Sequence, residues 1–222
     1  MSNPDFVHRF LRRTLSYGVA AIVFAGLMTV GIHAQTPEPV SQSLTAFDSA
    51  VNDYVRMHRR LEQQIGRIEF GTPVPEINRM IHELAAAIRE ERRYARQGDI
   101  FSPAIARVLV TRINAALLEH GYTADDVRAQ GRVEGVNYGR VKLQVNDTFP
   151  WVLAVAMFPC TIEALPPLPP ELQYRIVGEN LVLIDVHASL IVDILPNALL
   201  DFTMRDSAGR SPVLAVPAEP TR

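Results

Sequence analysis

The segment LQYRIVGENLVLIDVHASLIVDIL, residues 172–195, decides the fold because it holds three apolar runs separated by short polar breaks. Runs of this length, rich in β-branched and aliphatic residues, predict β-strands. The breaks at Gly178-Glu179-Asn180 and His187-Ala188-Ser189 predict three-residue loops between them. The segment therefore predicts a three-stranded antiparallel meander.

The alternation along these runs also predicts how the strands face. With three-residue loops, one face is entirely apolar: Leu172, Tyr174, Ile176, Val182, Ile184, Val186, Leu190, Val192 and Ile194. The other face carries Arg175, Asp185 and Asp193, and His187 lies at its rim. Because burying a large aliphatic side chain is worth about 1.5–3 kcal/mol, we expect the apolar face to pack inward and the acids to remain outside the core. Arg175 then reaches Asp185 diagonally. The charged face is either a solvated surface with weak ion pairs or a binding surface.

Helical spacing dominates the chain before the meander. Apolar residues recur at steps of three and four over residues 44–68, and a second apolar stripe follows over 77–88. Residues 102–121 predict a third helix, and residues 123–130 a short fourth one. The sequence therefore predicts an α+β protein. An N-terminal helical hairpin with one or two further helices is followed by a small antiparallel β-meander that packs on the helices.

Composition changes along the chain predict its organisation. The predicted regions are a signal peptide or N-terminal membrane anchor (1–34), a linker (35–43), a helical region (44–130), a β-rich region (131–203) with a proline-rich spacer (165–170), and a flexible tail (204–222).

The first 34 residues predict export. Arg9, Arg12 and Arg13 precede the apolar run VAAIVFAGLMTVGI. That run is shorter than the roughly 20 residues that a membrane span needs, so we expect a secretory signal cleaved after Ala34. The alternative is an inner-membrane anchor formed by residues 15–34. In both cases the expected location is outside the cytoplasm, in the periplasm or the extracellular space.

Charge and cysteine content exclude several classes of function. The formal net charge is −2, and a nucleic-acid-binding protein needs a cationic face, so we predict no nucleic-acid partner. Cys160 is the single cysteine, which excludes an intramolecular disulfide and leaves a free thiol or an intermolecular bond. The segment HELAA begins like a zinc-protease helix, but Ala86 stands where the second histidine is required.

Histidines and nearby carboxylates form candidate metal ligands. His58 and Glu62 are one helical turn apart, and His82 and His187 are further candidates. They support an alternative function, an envelope protein that senses or buffers a metal. Only under this alternative do we expect a cofactor, a divalent metal ion. A third hypothesis is a hydrolase in which a nucleophile meets His187.

Several segments carry a resemblance to known proteins. ARQGDIFSPAIARVL, NDTFPW and LPPLPPELQYRIVGENLVLIDVHASLIVDILPNAL together resemble a group of exported bacterial proteins of unknown function. YRIVGENLVLIDVHASLIVDIL is also similar to the terminal hairpin of small periplasmic proteins of the nickel and cobalt homeostasis type. Neither resemblance implies an activity or a metal ligand. The leading expectation is a non-catalytic binding or interaction module, whose partner is an envelope protein or a second copy of the chain.

Overall fold

The computed structural model describes residues 40–66, 69–130, 136–137, 141–154 and 156–200, all within one compact unit. These residues form helices α1 (Val40–Ile65), α2 (Val74–Glu91), α3 (Pro103–Glu119), α4 (Ala124–Gln130) and α5 (Pro159–Ala164), followed by strands β1 (Leu172–Val177), β2 (Asn180–Asp185) and β3 (Leu190–Leu195). The predicted signal peptide and flexible tail lie outside the described residues. None of the described helices is both long and apolar enough to cross a bilayer.

The predicted α+β class is confirmed, with an α1/α2 hairpin and an antiparallel meander packed on helices. The spacing of three and four puts Phe47, Val51, Tyr54, His58 and Leu61 on the buried side of α1. The main core lies between this stripe, the inner sides of α2 and α3, and one face of the sheet. Two boundaries differ from the prediction: α1 begins inside the predicted linker, and α5 forms within the predicted β-rich region.

The first hairpin loop is shorter than predicted. Val177 lies opposite Asn180, so the loop contains the two residues Gly178 and Glu179. Gly178 has a φ of 61°, which glycine adopts without steric cost. Two-residue loops with positive φ match the twist of paired strands, which explains why this loop forms.

The shorter loop reverses the predicted faces of β2. Leu181, Leu183 and Asp185 now lie opposite inward-facing residues of β1 and point toward the helices. A β-bulge beside Leu183 shifts the alternation of β3, and Asp193 also points inward. Asp185 and Asp193 are both 0% exposed. The prediction that the acids lie outside the core is therefore wrong.

The outer face of the sheet is buried as well. It forms a second apolar cluster of Phe149, Val177, Val182, Ile184, Ile191 and Ile194. The segment 141–154 covers this face, and its alternating residues Val141, Leu143 and Val145 pack on it without forming a strand. A strand buried on both faces is apolar throughout, so the hydrophobic pattern does not determine its register.

Asp193 anchors the connection between α2 and α3. Its carboxylate accepts hydrogen bonds of 2.7–2.8 Å from the backbone N–H groups of Gly98, Ile100, Phe101 and Ile194. These four donors explain how an acid occupies the core, because a buried polar group is tolerated when its hydrogen bonds are made.

Asn114 ties the segment after β3 to α3. Its side-chain amide donates to Ala198 O at 2.8 Å and accepts from the N–H of Leu200 at 2.9 Å, and the residue is 1% exposed. Asn114→Ala leaves both backbone groups unpaired, so we expect the free energy of unfolding to fall by about 2 kcal/mol in urea denaturation. Thr111→Ala, on the exposed side of α3, is the control, with an expected change below about 0.5 kcal/mol. Equal losses for the two variants would contradict this role.

Candidate metal centre

Helix α1 and the β2–β3 loop bring three predicted residues together. His58 and Glu62 lie on successive turns of α1, and His187 comes from the loop. One potential ligand atom from each of the three lies within 4.8 Å of the others. His82 is not part of this group; it is exposed on α2.

The predicted charged face does not form. Arg175 lies opposite Val182 and so shares the outer face of the sheet, whereas Asp185 points toward the helices. The guanidinium of Arg175 lies 6.0 Å from the ring centroid of Trp151. Asp193 is also buried on the inner side of the sheet. The prediction of one binding surface shared by Arg175, Asp185 and Asp193 is therefore wrong.

Asp185 holds His58 in one orientation. The Asp185 Oδ2 atom accepts a hydrogen bond from the Tyr54 hydroxyl at 2.7 Å and lies 2.6 Å from His58 Nδ1. The Asp185 Oδ1 atom accepts from the N–H groups of His187 and Ala188 at 3.0 and 2.8 Å. The carboxylate thus fixes both the His58 ring and the start of the loop that carries His187. It also favours the tautomer of His58 with its proton on Nδ1.

The other ring nitrogen of His58 makes no hydrogen bond to any residue that the structure describes. His58 is 0% exposed, and its Nε2 atom makes no hydrogen bond within the described residues. The nearest carboxylate oxygen, Glu62 Oε2, lies 3.8 Å away, which is too long for a hydrogen bond. Buried polar atoms almost always have partners, so this nitrogen requires an explanation.

Glu62 lies between the two imidazoles. Its Oε1 atom is 2.9 Å from His187 Nδ1, and the rings of His58 and His187 are 5.3 Å apart between centroids. The side chains of Glu62 and His187 are 30% and 42% exposed. The cluster therefore has a buried nitrogen on its inner side and solvent access on its outer side.

The surroundings favour positive charge at this position. Burial lowers the pKa of His58, but the hydrogen bond and the charge of Asp185 outweigh burial. Glu62 and Glu171 act in the same direction, and the pKa of His58 is raised above its ordinary value of 6.5. Burial, followed by the charge of Asp185, raises the pKa of Tyr54 well above 10.0. Tyr54 therefore remains a hydrogen-bond donor at neutral pH.

Arg92 brings a half-buried positive charge next to Tyr54. Its guanidinium lies 5.0 Å from the ring centroid of Tyr54 and donates to Val192 O at 3.1 Å. Burial lowers the pKa of Arg92, which the charges of Tyr54, Asp193 and other acids partly offset. The contacts thus run in order from Arg92 through Tyr54 and Asp185 to His58.

A cleft between α1 and α2 opens beside the cluster. Glu62 and His187 line it together with the apolar residues Ile65, Met80, Ile81 and Leu84 and the backbone of Gly66. The cleft gives solvent access to Glu62 and His187, while His58 lies behind them and does not line it.

The donor set matches a transition metal. Three protein ligands with an open fourth position form the usual zinc site of enzymes, and imidazole and carboxylate groups both bind zinc. A metal-binding histidine usually donates its second N–H to a carboxylate, as His58 does to Asp185. Within the described residues, the side chain of His187 contacts Glu62 and His58, neither of which is a catalytic hydroxyl or thiol nucleophile.

The pKa of His58 tests the role of Asp185. In the metal-free protein we expect Asp185→Asn to lower the pKa of His58, because the charge that offsets burial is removed. Because the folded pKa is raised, protonated His58 contributes fully to stability below about pH 6.5, and this contribution is lost as the pH rises through the raised pKa. Histidine NMR titration measures the shift. An unchanged pKa in the variant would contradict the pairing.

No family model, curated protein or solved structure matches the chain. The chemistry of the cluster is therefore the basis for assigning a function. The sequence marks His58, Glu62 and His187 as separate candidate ligands, and the fold brings them together. Tyr54 was not predicted as a partner of Asp185, although it lies one turn before His58 on the same face of α1.

Proposed function

We propose that this chain is an exported protein that binds one divalent transition-metal ion and buffers or senses that metal in the bacterial envelope. His58, Glu62 and His187 are the protein ligands. The observation that carries the proposal is the fully buried Nε2 atom of His58, which makes no hydrogen bond within the described part of the chain, while Asp185 fixes the opposite nitrogen.

The donor types select the class of metal. Ca²⁺ and Mg²⁺ prefer sites made of oxygen atoms, whereas two imidazoles favour zinc, copper, nickel or cobalt. Zinc accepts four-coordinate sites with three protein ligands and one exogenous ligand. We therefore take Zn²⁺ as the reference ion for this site.

The envelope location rests on the amino-terminal sequence. The basic leader and the apolar run before Ala34 support export. The leading expectation from the sequence was an interaction module acting through Arg175, Asp185 and Asp193, and that surface does not support it because Asp185 and Asp193 are buried.

Metal analysis of the full chain purified from its native compartment tests the proposal. We expect about one equivalent of zinc, copper, nickel or cobalt per chain, or one equivalent of zinc after reconstitution, because the site has one set of ligands. His82→Ala is the matched control, since His82 is exposed on α2 outside the cluster and its loss is expected to leave the metal content unchanged. The proposal would be overturned if the chain held no stoichiometric metal as purified and also bound no stoichiometric zinc after reconstitution.

A further inference from the structure

The two edges of the sheet differ in what covers them. The strand order is β1-β2-β3, and residues 146–149 form backbone hydrogen bonds along the outer edge of β3. No strand within the described residues pairs with the outer edge of β1. Proteins usually block open sheet edges because these bind other strands, so the open edge of β1 is a potential docking position.

A groove of about 190 Å³ runs along this open edge. Its β1 wall consists of the four consecutive residues Leu172, Gln173, Tyr174 and Arg175. Consecutive side chains of a strand point to opposite faces, so a groove lined by all four must follow the backbone edge. The opposite wall is formed by residues 166–168 and by Ile162, which is 52% exposed.

The edge offers backbone groups to a ligand. In an antiparallel sheet alternate residues direct their N–H and C=O groups away from the neighbouring strand, and here Leu172, Tyr174 and Ile176 do so. The Leu172 N–H is used by Pro169 O, and the Tyr174 O atom accepts from the side chain of Arg175. The other backbone groups that point outward along this edge are the N–H of Tyr174 and the N–H and C=O of Ile176.

Arg175 adds a positive charge to the groove. Within the described part of the chain, its guanidinium contacts the Tyr174 carbonyl at 3.3 Å and the Trp151 ring, neither of which is anionic. Arg175 is half-buried, and this burial lowers its pKa. A carboxylate is the group that complements such a cation, because guanidinium–carboxylate pairs are strong and directional.

We propose that the β1 edge binds an extended peptide segment of a partner protein, which adds a strand to the sheet and pairs an acidic side chain with Arg175. Main-chain hydrogen bonds supply affinity in this type of recognition, and side-chain contacts supply specificity. Strand β1, LQYRIV, contains no acid, so a second copy pairing through the same strand brings another arginine and no carboxylate. Charge complementarity therefore favours a different protein. This site is independent of the metal centre.

Selection of peptides on the full chain tests the proposal. A phage-displayed library of random heptapeptides is the probe, with Arg175→Glu as the test variant and Arg107→Glu, exposed on α3, as the control. We expect enriched peptides to carry Asp or Glu between β-branched residues. Their affinity should fall at least about tenfold on Arg175→Glu and remain unchanged on Arg107→Glu. Thermal melting establishes that both variants are folded.

Two outcomes overturn the proposal. One is a selection that enriches no peptide, or only peptides that bind Arg175→Glu as well as the unmodified chain. The other is concentration-dependent dimerisation of the chain that Arg175→Glu abolishes, which would assign the edge to a second copy. Neither outcome bears on metal binding at His58.

Discussion

Asp193→Asn is expected to lower the free energy of unfolding by about 3–5 kcal/mol, as measured by urea denaturation. The carboxylate accepts four backbone hydrogen bonds at 0% exposure. An amide replaces one oxygen with an NH₂ group that cannot accept, so about two of the four N–H groups lose their partner and face another donor. Each unsatisfied buried group costs about 1–3 kcal/mol. This loss is large against a total stability of about 5–15 kcal/mol.

Asp99→Asn is the matched control for this prediction. Asp99 belongs to the same loop, but it is exposed, and its side chain accepts a hydrogen bond of 2.8 Å from the N–H of Arg96. We expect a loss below about 1 kcal/mol for this variant. A loss of that size for Asp193→Asn as well would show that the loop does not depend on the buried carboxylate.

His187→Ala is expected to weaken Zn²⁺ binding at least about 100-fold in isothermal titration. Loss of a supporting group behind a metal ligand already costs about 10–100-fold in affinity, and His187 is a ligand itself. His187 is 42% exposed, so its removal should leave the fold intact. His82→Ala compares one exposed histidine with another and is expected to bind Zn²⁺ unchanged. Equal affinities for the two variants would exclude His187 from the site.

Asp185→Asn should give an intermediate result. The amide side chain of this variant still accepts hydrogen bonds through its one remaining oxygen, but the charge that orients and polarises His58 is removed. We expect Zn²⁺ affinity to fall by about 10–100-fold in the same titration. A larger loss than that of His187→Ala would indicate that the variant has lost the loop geometry rather than the charge.

Helices α1, α2 and α3 could be predicted from the sequence because each buries a single stripe. The residues of α1 at steps of three and four, from Phe47 to Leu61, are the ones that the fold buries. Periodicity carries this information whenever one side of an element faces solvent. The strand positions were predictable for a similar reason, because short polar breaks separate the three runs.

The register and the site could not be predicted in the same way. Both faces of β2 are covered, so no alternation marks which residues point toward the helices. The turn at Gly178 decides the register, and a change of one residue in its length moves Asp185 from one face to the other. His58 and His187 are far apart in the chain, and their meeting follows from that register rather than from any local pattern.

Anomalous X-ray diffraction from crystals grown with Zn²⁺ tests the central claim most directly. We predict one strong zinc peak per chain, with His58 Nε2 and a nitrogen of His187 at about 2.0–2.1 Å and a Glu62 oxygen at about 2.0–2.2 Å. A chain without a zinc peak at His58, or with its strongest peak at His82, would contradict the assignment of the buried nitrogen as a metal ligand.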